Sequence, residues 1–331
     1  MRPPAFWAAG LDPYSREAAP VTKALLTPLA WLTTRIHKQK IAQAKPAAIP
    51  AKVVSVGGVT LGGAGKTPVV QAVRTWLSAH TDGRIATLSR GYGGRLGRYP
   101  QQVKPNTHTA REVGDEPLML SQSGESWIGK KKDTAAREMA KEGVECIILD
   151  DAHQTVSLQK DLSILVLDAD APLGNGFVFP KGPLREPITE AISRADLIVW
   201  LGEAALPDTL NSYGIPVLAA RLVPTLLPID EPVIAFAGLG RPTKFFDMLT
   251  RLGWHLADAV PFDDHYLYKP QDLKFLWQMA EDRGARLVTT EKDYVRLPKN
   301  YRRDVMTVPV SVEFEESSEW DAALSKVLAD E

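Results

Sequence analysis

Short apolar runs rich in β-branched residues recur along this chain between stretches of helical periodicity. They are VVSV at 53–56, RIATLS at 84–89, CIILD at 146–150, SILVLD at 163–168, LIVWL at 197–201, VIAFAG at 233–238 and RLVTT at 286–290. Strands that alternate with helices require crossover connections, and crossovers place helices on the faces of a parallel sheet. None of the runs alternates strictly with polar residues, so each is expected to be buried on both sides. The fold class is α/β. A length of 331 residues exceeds the roughly 100–200 of a usual single domain and favours two domains or one large unit. The Gly- and Pro-dense segment DAPLGNGFVFPKGPLREP, 170–187, separates one series of α/β units from the next and predicts a boundary nearby. VMTVPVSVEF, 305–314, alternates and is expected to pair with SILVLD as a connecting ribbon. The expected division is an N-terminal domain at 1–162, a ribbon of 163–169 with 305–314, a second α/β domain at 170–304 and a C-terminal segment at 315–331.

The first run leads into VVSVGGVTLGGAGKTPVV, 53–70, where GGAGKT follows a strand and opens a helix carrying Val69, Val70, Val73, Trp76 and Leu77. That order of strand, glycine loop and helix is the context in which a phosphate-binding loop works. Backbone N–H groups of Thr60, Leu61, Gly62, Gly63, Ala64 and Gly65 would close around phosphate oxygens, and the helix N-terminus adds partial positive charge. Lys66 would reach the β- and γ-phosphates and the Thr67 hydroxyl would bind Mg²⁺, which makes a nucleoside triphosphate with Mg²⁺ the expected pair. A strict loop of this type carries glycine five residues before Gly65; this chain has Thr60.

A triphosphate site also needs carboxylates at the end of a neighbouring buried strand to hold the metal. CIILDD supplies Asp150 and Asp151 at the carboxyl end of an apolar run, where open α/β sheets place ligands. Transfer to an alcohol needs a group that accepts or aligns the hydroxyl proton. Asp115 in VGDEPLML and His265 in FDDHYLYKP stand in polar turns before probable helices, and nothing in their spacing says whether they meet. Arg90 in SRGYGG and Arg185 in GPLREP lie in turns beside strand ends, where a planar guanidinium fork can clamp phosphate oxygens.

Composition narrows the remaining classes. With 39 basic against 40 acidic residues there is no charge surplus for a general nucleic-acid partner. The single cysteine, Cys146, lies in an apolar run and is expected to be a buried structural thiol. No stretch reaches the roughly 18 consecutive apolar residues of a spanning helix, and the start lacks the order of a signal peptide. KALLTPLAWLTTRIHKQK, 23–40, places Leu25, Leu29, Leu32 and Ile36 at helical spacing, with Trp31 and the cations Arg35, Lys38 and Lys40. Such a helix suits a membrane interface with anionic headgroups, or docks on its own domain. Pro28 is expected near a first turn, where proline is tolerated.

Taken together, VGGVTLGGAGKTP, SRGYGG, VGDEP, IILDD, FPKGPLREP, AFAGLGRPTKFF, FDDHYLY and VTTEKD resemble, in order, the motifs of the tetraacyldisaccharide 4'-kinases, which phosphorylate the lipid A precursor of Gram-negative bacteria. The resemblance covers about 54–295 and includes the threonine at the first loop position. It implies a P-loop kinase-like domain with a parallel sheet plus a second, smaller α/β domain, joined by a two-stranded ribbon. It further implies transfer of the γ-phosphoryl group of ATP to the 4'-hydroxyl of tetraacyldisaccharide 1-phosphate. Lys66 and Thr67 match the loop lysine and metal-binding threonine, Asp150 and Asp151 the acidic pair on Mg²⁺, Asp115 the catalytic base and His265 the histidine that tunes it. Arg185 and Glu186 match a pair near substrate and metal. The partners implied are an acylated glucosamine disaccharide 1-phosphate and the cytoplasmic face of the inner membrane, held peripherally through the N-terminal helix. Where the family reads DDGFQH this chain reads DDAHQT, so His153 becomes a candidate for the task of the missing histidine. Two other readings are a P-loop ATPase switch acting on a protein and a divergent kinase with a changed glycolipid acceptor.

Overall fold

The computed structural model describes residues 4–12, 15–63 and 65–329. The chain forms two compact units, one of residues 4–90, 129–222 and 312–329, the other of 91–128 and 223–311.

In the first unit six parallel strands run in the spatial order Val217–Pro224, Leu197–Leu201, Leu162–Asp168, Lys52–Gly58, Cys146–Leu149 and Ile85–Ser89. Lys52–Gly58 is central, and the chain leaves it towards one side of the sheet and returns to the other. That reversal opens a crevice at the carboxyl ends of the middle strands, the place where such sheets hold ligands. Four of the central strands are buried along nearly their whole length, as expected of strands covered on both faces. The helix Lys66–His80 covers one face through Val69, Val70, Val73 and Leu77. Cys146 is buried in its strand, and burial pushes its thiol up to about 11, so it stays protonated and inert.

The second unit is built on a parallel four-stranded sheet ordered Leu256–Pro261, Val233–Ala237, Arg286–Thr289 and Val305–Thr307. Its central strand feeds both faces by alternation: Val233, Ala235 and Ala237 pack with Phe245, Leu249 and Trp254, whereas Ile234 and Phe236 pack with Tyr268, Leu273 and Leu276. Residues 110–119 join this unit through Val113, Leu118 and Met119, which share a core with Val295.

Two expectations about chain division are corrected. The Gly- and Pro-dense segment 170–187 is a loop inside the first unit, because Leu197–Leu201 beyond it pairs in parallel with Leu162–Asp168 before it. That pairing also puts 163–168 in the middle of the sheet, so it is not a ribbon strand. The strand beside Val310–Phe314 is Val217–Pro224, and both run across the division between the units at 222/223 and 311/312. The alternating run 305–314 is itself split at Pro309 into Val305–Thr307 and Val310–Phe314. Proline lacks the N–H a continuous ladder would need.

A 23-residue helix, Pro20–Ala42, precedes the first sheet strand. Pro20 occupies its first turn, which leaves Pro28 in the interior and not near the start as expected. Leu25, Leu29, Leu32, Ile36 and Trp31 are all exposed, Leu25 to 73 % and Trp31 to 62 %. Docking of this stripe on its own domain is therefore not what the helix does. No described helix is long and apolar enough to cross a membrane.

Candidate functional site

The candidate residues fall into two sets, each inside one unit. In the first unit the strand Lys52–Gly58 runs into the glycine loop, and the helix starts at Lys66 with Gly65 as its N-cap. Gly65 has φ 73°, and a Cβ there would come within 2.4 Å of Leu201 Cδ2. Only glycine meets both conditions. Thr60 forms an antiparallel bridge with Leu184, flanked by hydrogen bonds from Leu61 N to Pro183 O at 2.8 Å and from Arg185 N to Val59 O at 2.7 Å. The position where a strict phosphate loop has glycine is thus extended backbone, which threonine favours. The same bridge brings Arg185 to the loop. Ala64, expected among the phosphate-binding residues, lies outside the described residues.

Lys66 Nζ lies 3.3 Å from Gly62 O and 3.5 Å from Asp151 Oδ1. Arg185 grips Asp151 with both terminal nitrogens, at 3.0 and 2.9 Å, in the parallel fork that such pairs favour. Burial alone would raise the Asp151 carboxyl; the charges of Lys66 and Arg185 overcome it and hold the group well below the usual carboxylate range. Asp150 is buried and accepts a hydrogen bond from Ser89 Oγ at 3.2 Å. Thr67 stands in the first turn of the loop helix.

The turn carrying the two aspartates is held from beneath by two lysines that the sequence reading passed over. Lys132 Nζ donates to the carbonyls of Asp150 and Asp151, and Lys160 Nζ donates to those of Ala152 at 3.0 Å and His153 at 3.2 Å. Four successive carbonyls thus point at ammonium groups, and Asp151 is kept at φ 47°. Burial pushes Lys132 down to about 8, against the pull of Asp151 and Asp150, and Lys160 down to about 7. In sequence, Lys132 is one of several cations in GKKKD and carries no mark of burial.

Glu186 was expected on the metal. Its side chain is fully buried and its oxygens are taken by His37 Nε2 at 2.7 Å, Arg194 Nη2 at 2.5 Å and Gln154 Nε2 at 2.8 Å. Burial would raise it, but these hydrogen bonds bring it down to about 2. These three partners hold the carboxylate in place, next in sequence to Arg185. Gln154 passes the connection on, since its Oε1 accepts from Arg185 Nη1 at 3.3 Å. The candidate role of His153 is corrected. It is fully buried, its Nε2 is 2.8 Å from Ala191 O, and burial pushes it down to about 4. Its backbone and Cβ lie so close to Gly57 that a side chain there would meet His153 N at 2.4 Å. The ring fills a core position and is closed off from solvent. Arg90 follows the strand Ile85–Ser89 and is exposed.

These donors suit Mg²⁺. It takes one or two carboxylates with waters and phosphate oxygens in preference to an all-protein cage. Asp150, Asp151 and the Thr67 hydroxyl are hard oxygen donors of that kind. Among the described residues no three His, Cys, Asp or Glu side chains gather into a closed metal-binding group.

In the second unit Asp115 opens the helix Asp115–Leu120, and His265 lies in the turn after Leu256–Pro261. They are 150 residues apart in sequence and 2.8 Å apart in space, His265 Nδ1 to Asp115 Oδ2. His265 has φ 56°, held by its N–H on Gly238 O at 3.2 Å. Two residues of TTEKDYVR, a segment that suggested no role, complete the group. Arg296 Nε is 3.0 Å from Asp115 Oδ2, and Lys292 Nζ is 3.0 Å from Glu116 Oε1 and 3.5 Å from His265 Nε2. Asp293 between them binds Gly238 N at 2.8 Å, Tyr268 Oη at 2.5 Å and Arg296 Nη1 at 3.2 Å, which locks the helix Glu291–Tyr294 in register. Burial would raise the Asp115 carboxyl, but the His265 hydrogen bond and the charges of Lys292 and Arg296 keep it well below the usual range. Tyr92, Arg95, Arg111, Asp115 and His265 line a cavity of about 420 Å³.

The family described as tetraacyldisaccharide-1-P 4'-kinase matches residues 22–329. A tetraacyldisaccharide 4'-kinase of Hyphomonas neptunium is 50 % identical over 327 residues, 99 % of this chain and 98 % of that protein. One of a Caulobacter species is 42 % identical over 95 % of this chain and 97 % of that protein. Among solved structures, the "apo" form of LpxK from Aquifex aeolicus in complex with ATP superposes with a TM-score of 0.74. It is 25 % identical and covers 93 % of this chain and 100 % of that one.

Proposed function

The chain belongs to the tetraacyldisaccharide-1-P 4'-kinase family, and on that premise we propose how its own residues carry the reaction. The activity is ATP-dependent phosphorylation of the 4'-hydroxyl of tetraacyldisaccharide 1-phosphate in lipid A biosynthesis. The observation that carries the residue assignment is the Asp115–His265 pair on the wall of a cavity, because a group that takes a hydroxyl proton is what an alcohol kinase needs beyond a nucleotide loop. The two other readings drawn from the sequence, a switch acting on a protein and a changed glycolipid acceptor, find no supporting observation.

In this proposal the backbone of Thr60, Leu61, Gly62, Gly63 and Gly65 and the start of Lys66–His80 cradle the phosphates of ATP. Lys66 turns from Asp151 and Gly62 O to the β- and γ-phosphate oxygens and stabilises the charge that spreads over the transferring group. Thr67, Asp150 and Asp151 would hold Mg²⁺, which when bound would neutralise negative charge on the phosphates. Lys132 and Lys160 keep the aspartate turn in place through its carbonyls. Arg185 balances Asp151 and stands ready for a phosphate oxygen.

Asp115 Oδ1 takes the proton of the 4'-hydroxyl. Its low proton affinity is compatible with this task, because the transition state of phosphoryl transfer is loose and aligning the oxygen matters more than stripping its proton early. His265 orients the carboxylate through Nδ1, and Arg95 and Arg111 lend positive charge to a cavity whose acceptor is anionic. The assay that tests the proposal supplies ATP, Mg²⁺ and detergent-dispersed tetraacyldisaccharide 1-phosphate and looks for label from γ-labelled ATP on the lipid. ATP consumption without labelled lipid, where a control kinase labels it, would refute the reading.

The exposed stripe of the helix Pro20–Ala42 supports peripheral contact with the cytoplasmic face of the inner membrane. Its apolar side chains would sink to the headgroup boundary, and Arg35, which stacks over Trp31 at 5.5 Å, would meet anionic lipid. Burying one leucine is worth about 1.5–3 kcal/mol. The double substitution Leu25→Ser, Leu29→Ser is therefore expected to lower binding to anionic vesicles by about tenfold or more. ATP binding should not change. Undiminished co-sedimentation would reject the interfacial role.

A further inference from the structure

The segment TTEKD, 289–293, is absorbed neither by the nucleotide loop nor by Asp115 and His265 themselves. Thr290 caps the short helix Glu291–Tyr294 by accepting from Asp293 N at 3.1 Å. With that helix in register, Lys292 reaches the residue after Asp115 and the far edge of His265 at once. Its Nζ is 3.0 Å from Glu116 Oε1 and 3.5 Å from His265 Nε2. The imidazole is thereby flanked on its two nitrogens by opposite kinds of group.

A carboxylate offers only acceptors and an ammonium only donors. With Asp115 Oδ2 at 2.8 Å, Nδ1 must carry the hydrogen; with Lys292 Nζ on the other edge, Nε2 must present its lone pair. The other charged groups nearby do not reverse this. Asp264 Oδ1 is 3.8 Å from Nε2, beyond hydrogen-bond length, and Arg296 acts on Asp115 at 3.0 Å. Tyr92 meets the ring edge-on at 5.6 Å and brings no charge to it.

We infer that Lys292 is a positioning residue that, tethered by Glu116, fixes His265 as the neutral Nδ1–H tautomer, so that Asp115 and not His265 receives the acceptor's proton. The inference rests on the proposed role of Asp115 and adds to it the reason that one member of the pair is the acceptor. It also assigns the carboxylate beside the catalytic one, Glu116, to holding the lysine. No bond to the phosphate is involved; Lys292 acts on the ring through Nε2 and on Asp115 through its charge.

Two measurements test this on the full-length protein. In ¹⁵N-histidine-labelled protein at neutral pH, His265, assigned by comparison with His265→Gln, should show a protonated Nδ1 and an unprotonated Nε2. A protonated Nε2 in the unsubstituted protein overturns the inference whether or not any variant folds. In the second, Lys292→Met should give a mixture of tautomers. Lys292→Arg, which keeps the donor, should restore the single tautomer. A folded Lys292→Met protein with an unchanged tautomer also overturns it. Failure of the kinase reading would appear separately, as absence of labelled lipid in a protein whose His265 tautomer is as expected.

Discussion

Replacing Asp115 by alanine is expected to lower turnover by about 10²- to 10⁴-fold, the range for loss of a proton-transfer group, and to leave ATP binding intact. The nucleotide contacts proposed for Lys66, Thr67 and the glycine loop do not involve Asp115. Alanine also strips a partner from Arg296, which is buried and keeps Asp293 as a carboxylate partner at 3.2 Å, so melting should be followed in parallel. Asp115→Asn keeps the shape and separates the two effects: turnover should still fall while most of the stability returns. Because the folded-state affinity of Asp115 for protons is depressed, its contribution to stability is fully present above its unfolded pKa near 3.9. That contribution is lost only as pH falls through the lower folded value. The stability advantage of the native protein over Asp115→Asn should therefore hold down to about pH 4 and fade below it. A single-turnover rate unchanged in Asp115→Ala would reduce the residue to a feature of its helix start.

The second large effect is expected at Lys66. Removing one preorganised charge donor from a transferring group costs on the order of 10²- to 10³-fold in turnover, and Lys66→Ala should also weaken ATP binding, unlike Asp115→Ala. Asp151 retains Arg185 at 2.9 Å, so the carboxylate is not stranded and the melting temperature should change little. Equilibrium binding of a fluorescent ATP analogue, set beside the rate, checks both halves. Normal nucleotide affinity in the alanine protein would remove Lys66 from the phosphate site.

The sequence made the strands and the nucleotide loop readable because both depend on residues that are neighbours in the chain. Buried parallel strands show as apolar runs, and GGAGKT needs only the strand before it and the helix after it. Val217–Pro224 escaped because it is only partly buried and includes Arg221. The ribbon was therefore given to the wrong partner. The Gly- and Pro-dense segment misled for a related reason: chain composition reports a loop, and whether the same sheet resumes after it depends on pairing that lies elsewhere. Asp115 and His265 could each be picked out, but their contact is made by the turn at φ 56° and by packing between 110–119 and Val295. No spacing rule carries such information. Lys292 and Arg296 had one signal available: TTEKD follows the carboxyl end of a buried strand and opens a helix, just as GKT does. Lys132 and Lys160 had none, because a lysine held on carbonyls and a lysine in water look alike in a sequence. His153 was misplaced by its company, since a histidine two residues after Asp151 suggests chemistry until its burial is known.

The contact between His37 and Glu186 at 2.7 Å bears on how such an enzyme is handled in the laboratory. The helix whose apolar stripe discourages purification is the natural segment to trim for a better-behaved sample. Trimming it also cuts the first link of a chain that runs from His37 through Glu186 and Gln154 to Arg185 and Asp151. An inhibitor screened on the shortened protein would meet a carboxylate missing one of its three anchors, and its ranking would describe that altered site. Surface substitutions along the stripe, with His37 kept, give a tractable protein whose pharmacology is still that of the whole molecule.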